Sequence, residues 1–298
     1  MKKFNMVVLV KQVPDTKNIT GEAMKEDGTV NRAALPAIFN PEDLNALEMA
    51  LQVKENYGGT INVITMGPPT ATEVLRESLY RGADNVYLLS DRRFAGSDTL
   101  ATSFALKQAI VTKIPDFDIV FCGRQAIDGD TAQVGPQTAE KLDIPQLTYV
   151  EEIRELTDKK IVVRKSLDNG SEVVEAPIPA LLTVTSNANE PRPYIAKKLL
   201  KYRNAASKFE LKNILPKYPE FSSENELKKF LSDRGLFIET WGLEDINADP
   251  SLVGFAGSPT MVKMIESITL TGTGFKQIEP TDEGIREFVA ELIEEHAI

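Results

Sequence analysis

Four times within its first 142 residues the chain repeats one cycle: a short apolar run of strand length, a break, and a helical pattern. Strand–turn–helix in series commits the chain to a parallel sheet with right-handed crossovers, because parallel neighbours cannot be joined by a tight turn. The first run covers residues 6–13 and is almost continuously apolar, as a strand covered on both faces must be. Asn40-Pro41-Glu42-Asp43 then opens a helix with a cap, a proline at the first position and acids in the first turn. Leu44, Leu47, Leu51 and Val53 mark its buried side, and Gly58-Gly59 ends it. Residues 61–66 form the second strand. Thr70 or Thr72 caps a helix that buries Val74, Leu75 and Leu79 and stops at Gly82. Residues 85–89 form the third strand. Ser97-Asp98 starts a helix through Lys113 with Leu100, Phe104, Leu106 and Ile110 inward.

The fourth cycle carries the site. Residues 118–122 read as a buried strand that breaks at Gly123. A polar loop with Asp128, Gly129 and Asp130 follows, then a helical pattern to about Leu142. Free main-chain N–H groups and the positive end of a helix dipole meet at such a junction and attract phosphate. In open α/β sheets ligands bind at strand carboxyl ends. Gly129 and Gly135 stand among Thr131, Ala132, Gln133 and Thr138, with no bulky apolar cover. Pro136 suits a first helical turn, which puts Gly135 near the cap, where a glycine lets the main chain approach a ligand closely.

From Tyr149 the pattern alternates. Residues 150–155, 160–165 and 171–175 are half-buried strands around an Asp168-Asn169-Gly170 turn, an antiparallel addition to the sheet. Residues 180–184 are one more buried strand. Beyond Thr185 comes a proline-rich stretch through Tyr194, a basic amphipathic segment, a short helix from Glu224, a candidate strand at 237–241, a second glycine loop at 254–260, an apolar strand pattern to Leu270 and a helix at 281–295. This part carries apolar residues without an evident core. The organisation expected is an α/β domain over 1–188 and a segment over 189–298 that buries itself on a partner chain.

A net charge of −10 argues against nucleic acid as the main partner. One cysteine, Cys122, excludes a disulfide framework, and one histidine, His296 in the penultimate turn of the chain, disfavours zinc and His-based triads. No run approaches a membrane span, and the opening apolar stretch is too short for a signal peptide, so a cytoplasmic protein is expected. There is no G-x-G-x-x-G after the first strand, no Walker loop and no nucleophile elbow. Nothing pairs a nucleophile with a base, so no catalytic residue is assigned.

Several motifs in order carry a resemblance: Val10-Lys11-Gln12-Val13-Pro14-Asp15, Asn40-Pro41, Thr65-Met66-Gly67-Pro68, Gly82-Ala83-Asp84, Gly123-Arg124-Gln125-Ala126-Ile127-Asp128 with Gln133 and Gly135, and Asn189-Glu190-Pro191-Arg192. Together they resemble the electron-transfer flavoprotein beta subunits. The resemblance implies an α/β, doubly wound, mostly parallel sheet of the adenine-nucleotide-binding type with an extended C-terminal arm. It implies an alpha-subunit partner and an adenine cofactor lined by Val10, Asn40, Thr65 and Met66. Gly123, Asp128, Thr131, Ala132, Gln133, Val134 and Gly135 would hold its phosphate, largely by main chain. Gly129, Ala132 and Val134 stand where plain carriers have an acid, Asn and Thr. This matches the FAD-containing, electron-bifurcating type, with AMP the alternative cofactor; Gly257-Ser258-Pro259-Thr260 matches that type too. Bifurcation implies NADH, an acyl-CoA dehydrogenase and ferredoxin or flavodoxin as further partners, with NADH oxidation only in the heterodimer. Ile195, Leu199 or Leu200 falls where the family anchors its dehydrogenase. Residues 205–236 exceed the family norm. A redox-inactive nucleotide-sensing module on the same topology is the remaining alternative.

Overall fold

The computed structural model describes residues 3–15, 35–260 and 277–294. Its core is the repeated cycle. β1 (Phe4–Val10) is followed by a short antiparallel pair, β2 (Gln12–Pro14) with β3 (Ala37–Phe39). Then come α1 (Pro41–Tyr57), β4 (Gly59–Met66), α2 (Thr72–Arg81), β5 (Asn85–Leu89), α3 (Thr99–Lys113), β6 (Ile119–Gly123) and α4 (Val134–Leu142). The first apolar run is broken at Lys11, whose N–H leaves the sheet to meet Asp43 Oδ2 at 2.8 Å.

β7 (Gln146–Leu156), β8 (Lys160–Leu167), β9 (Gly170–Pro177) and β10 (Ala180–Val184) continue the chain. The later elements are α5 (Ala196–Tyr202), β11 (Ala206–Ser207), α6 (Leu211–Ile214), α7 (Glu224–Asp233), β12 (Phe237–Trp241) and α8 (Asp282–Glu294). One ten-stranded sheet results, in the order β11-β12-β5-β4-β1-β6-β10-β7-β8-β9. Every pairing from β11 to β7 is parallel; β8 and β9 add on antiparallel.

The sheet is buried on both faces. Met6, Val8, Ile61 and Phe121 face one layer with α1 and α2, while Val7, Leu9, Ile64 and Val120 face the other with α3 and α4. Full burial of each large apolar side chain contributes about 1.5–3 kcal/mol, which is why these strands read as unbroken apolar runs. The chain runs outward from β1 through β4 to β5, then crosses back to β6 on the other side. That reversal opens a crevice at the carboxyl ends of β1 and β6.

Two readings from the sequence change. Leu100 is 40% exposed and not inward, because α3 turns the face of Ala101, Ala105 and Ala109 to the sheet and leaves Leu100 beside it. The boundary at 188 falls inside one compact unit, Met1–Lys263, since β12 pairs with β5 and Arg76 of α2 grips the Ala205 carbonyl and Glu210. Residues 211–237 hold a small core of their own around Leu227 and Leu231. The second unit is Met264–Ile298. Its α8 buries none of its residues and shows Ile285, Phe288, Val289 and Ile293 along one stripe. The strand pattern to Leu270 and His296 lie outside the described residues. Among those residues no helix is long and apolar enough to cross a membrane, and no cluster of His, Cys, Asp or Glu is placed to hold a metal.

Candidate functional site

A cleft of about 760 Å³ opens over the carboxyl ends of β5, β4, β1 and β6. Three strand spacings separate the outer two, about 14 Å. Val10, Met66, Gly123 and Asp128 line it, as do Thr131, Ala132, Gln133, Val134 and Gly135. Asn40 and Thr65 do not. Side chains alternate along a strand, so with Ile64 and Met66 on the cleft side Thr65 faces the opposite layer. It is fully buried there, and its Oγ1 has no hydrogen-bond partner among the described residues.

The loop between β6 and α4 exposes its main chain. Asp130 and Ala132 hold left-handed conformations, at φ 49° and 52°. Such geometry is uncommon for residues other than glycine, costs about 1–2 kcal/mol, and concentrates at functional sites. It turns successive N–H groups to one side, the geometry of an anion nest. The N–H groups of Thr131, Ala132, Gln133, Val134 and Gly135 meet no acceptor among the described residues. α4 starts at Val134, so Pro136 sits inside the first turn and Gln133 occupies the cap. The Gln133 side chain does not cap; its Oε1 accepts from Thr99 Oγ1 at 3.0 Å and ties α4 to α3.

The glycines work differently from the reading of the sequence. A Cβ at Gly135 would lie 2.8 Å from Cys122 Sγ and 2.9 Å from Thr183 Cγ2, so this glycine lets α4 close onto the sheet; ligand approach is not what excludes a side chain. At Gly123 a Cβ would stand 2.5 Å from Asp43 Oδ1. Gly129 is the open one: nothing lies within 4 Å.

The amino end of α1 shapes the loop from outside. Asn40 makes no side-chain cap. Its Nδ2 donates to the Gln125 carbonyl at 2.9 Å, and its Oδ1 accepts the Ile127 N–H at 3.1 Å. Glu42 Oε2 accepts the Gln125 N–H at 2.9 Å, and the Arg124 guanidinium sits 3.2 Å from Oε1. Asp43 Oδ1 takes the Gly123 N–H at 2.9 Å. Acids that suit a helix dipole in sequence therefore serve as a mould for a loop some eighty residues away. Lys11 Nζ closes the rim by donating to both oxygens of Asp128, at 2.8 and 2.7 Å.

The wall beside β5 was not legible as part of the site. Asp91 accepts from Arg93, which holds its carboxyl far below the usual range, and Arg93 also reaches Glu244 at 2.6 Å. Asp98 caps α3 through the Ala101 N–H and accepts the Thr260 hydroxyl at 2.7 Å. Ser258 Oγ accepts the Asp98 N–H at 2.8 Å and donates to Gly254 O at 2.7 Å. The second glycine loop is thus fastened to this wall. Arg92 lines the cleft there beside Phe94 and Ala95. Cys122 also lines it, but burial pushes its thiol up and leaves it unreactive.

The expected partner residues lie elsewhere. The stretch before α5 is anchored on α1: Asn45 Nδ2 donates to Asn189 O at 2.7 Å, and Arg192 donates to Glu48 and to Glu55. Ile195 stands at the cap position of α5, donates its N–H to Tyr80 O and is 40% exposed; Leu200 is 63% exposed, and Leu199 is half-buried.

The model of the electron transfer flavoprotein domain matches residues 27–213. The electron transfer flavoprotein subunit beta of Clostridium acetobutylicum is 42% identical over 295 residues, 99% of this chain and all of that one. Subunit CarD of the caffeyl-CoA reductase-Etf complex of Acetobacterium woodii is 40% identical over 297 residues, again 99% of this chain and all of the relative. The acryloyl-CoA reductase electron transfer subunit gamma of Anaerotignum propionicum is 38% identical over 300 residues, at the same coverage.

Proposed function

The chain belongs to the electron transfer flavoprotein family, as a beta subunit, and from that premise we propose that its cleft holds FAD beside an alpha subunit. One observation carries this reading: residues 131–135, whose main-chain N–H groups have no acceptors among the described residues, line a cleft that runs on past β1 and β4 to β5. The amides suit phosphate, and the length of the cleft favours a dinucleotide over AMP. Open space at Gly129 and the small side chain of Ala132 leave the pyrophosphate a path.

A bound flavin accepts a hydride or single electrons; the protein governs its position, potential and access to water. Asn40, Glu42 and Asp43 fix the loop that takes the phosphates. Lys11 and Arg124 place positive charge at the rim, and Gln133 locks α3 to α4 behind it. No residue acts as a general base. With its alpha subunit the protein carries electrons from NADH to an acyl-CoA dehydrogenase and to ferredoxin or flavodoxin, the bifurcating role. Names of relatives that belong to reductase complexes support this. Ile195, Leu199 and Leu200 form the dehydrogenase contact, and the exposed apolar stripe of α8 packs on the alpha subunit.

AMP in a structural role is the second reading, since the amide nest by itself needs only one phosphate. Cofactor analysis of the purified heterodimer separates the two. Two flavins per heterodimer, one of them reduced rapidly by NADH, is the expected result. One flavin with AMP would replace the bifurcating reading with the plain carrier, and no adenine cofactor at all would remove the assignment of the cleft.

A further inference from the structure

Among the acids lining the cleft, Asp43 stands apart. It is 6% exposed, on the first turn of α1, and each of its oxygens holds the end of a different strand. Oδ2 accepts the Lys11 N–H where β1 ends, and Oδ1 accepts the Gly123 N–H where β6 ends. The charged groups around it are engaged with others. The Lys11 ammonium is on Asp128, while Glu42 takes Arg124 and the Gln125 N–H. Cys122 adds only an un-ionised thiol. The other strands packed on α1, β4 and β10, bring no titratable side chain. Burial pushes the Asp43 carboxyl up to about 7, against the pull of its two N–H donors, the Asn40 side chain and the Lys11 charge.

We propose that Asp43 takes up a proton from solvent when phosphate settles in the cleft, so that nucleotide binding is coupled to protonation. The inference rests on the reading of the cleft as a nucleotide site. A second negative charge in the cleft that buried Asp43 lines disfavours the carboxylate, and neutralisation relieves it. One proton passes from buffer to one oxygen of Asp43; nothing is oxidised. The protonated oxygen is a poorer acceptor than the carboxylate oxygen it replaces, so one of the two N–H bonds weakens, and the strand end it held is less firmly fixed. The sign follows. Below pH 7 the carboxyl is already protonated and affinity is flat. Above it, binding must bring a proton, and the dissociation constant rises by up to about tenfold per pH unit until the raised value in the complex is passed.

The test is calorimetric titration of the full-length chain, paired with its alpha subunit and freed of nucleotide at this site, with FAD and with AMP at pH 8. Buffers of different ionisation enthalpy report the protons exchanged. Wild type should take up between half a proton and one proton, and Asp43→Asn none, with its affinity flat across pH 7–9. Binding by wild type without proton uptake overturns this inference alone, as does equal uptake in Asp43→Asn. Failure to bind either nucleotide overturns the cleft assignment, and this inference with it. Should Asp43→Asn not fold, an infrared difference spectrum of wild type labelled with 13C-aspartate decides: a protonated-carboxyl band that gains intensity on binding and shifts with the label is required, and its absence refutes the coupling.

Discussion

At position 135 the side chain can be no larger than hydrogen, and the neighbours that impose this are Cys122 and Thr183. Both contacts are rigid, one through a buried strand residue and one through a β-branched methyl. Gly135→Ala should therefore cost about 1–3 kcal/mol of unfolding free energy in urea, the usual range for an overpacked contact. Adding Thr183→Ser removes the methyl and should recover part of the loss. Additive effects in the double variant would show that α4 shifts away from the sheet instead. Glycine at 123 answers to a different neighbour, the Asp43 carboxylate, so the two glycines of this loop fix two separate packings. The loop's left-handed positions fall on Asp130, a residue type that tolerates the conformation, and on Ala132, where nothing in the residue type announces it.

Among elements, α1 does most to form the site without lining much of it. Its first turn sets the main chain at Lys11, Gly123, Gln125 and Ile127, so the loop between β6 and α4 inherits its shape from a helix start. Asn40→Ala removes two buried hydrogen bonds and should cost about 1–3 kcal/mol of stability. Amide exchange should quicken across residues 125–135, and nucleotide should be lost on dilution. Unchanged exchange in that loop would mean that α1 merely abuts it. On α5, Leu200 is free enough that Leu200→Asp should alter stability by no more than about 0.5 kcal/mol. Flavin content should also hold, while electron transfer to the dehydrogenase weakens; full coupling would take Leu200 out of that contact. Arg192 explains how α5 is held: its guanidinium spans Glu48 and Glu55 of α1 and fixes the preceding chain.

For the whole molecule, the buried apolar residues among those described all precede Lys263. Removal of residues 264–298 should leave a cooperatively unfolding unit with little change in its thermal midpoint, followed by circular dichroism. Sedimentation with the alpha subunit should show weakened association, because the apolar stripe of α8 then has no role in the pair. A collapse of the fold, or undiminished association, would refute that division of labour. The long sheet has a related logic. The antiparallel strands β7, β8 and β9 extend one end and β12 with β11 the other, which leaves the central crevice at the topological reversal untouched.

What the residue order settled alone was the repeated cycle, the parallel sheet, the antiparallel addition and the polar loop between β6 and α4. Each of these depends on periodicity, apolar runs and turn residues within a dozen positions of one another, so local reading reaches them. Contacts across about eighty to one hundred and sixty positions were settled only by folding. Asn40, Glu42 and Asp43 left their own helix to hold a distant loop, Thr65 turned from the cleft, and Asp98 became shared between α3 and the 254–260 loop. β12 was legible as a candidate strand at 237–241, but its place beside β5 in the main sheet was not. A side chain's hydrogen-bonding capacity is written in its type, but its partner is whichever surface the packed layers bring within about 3 Å.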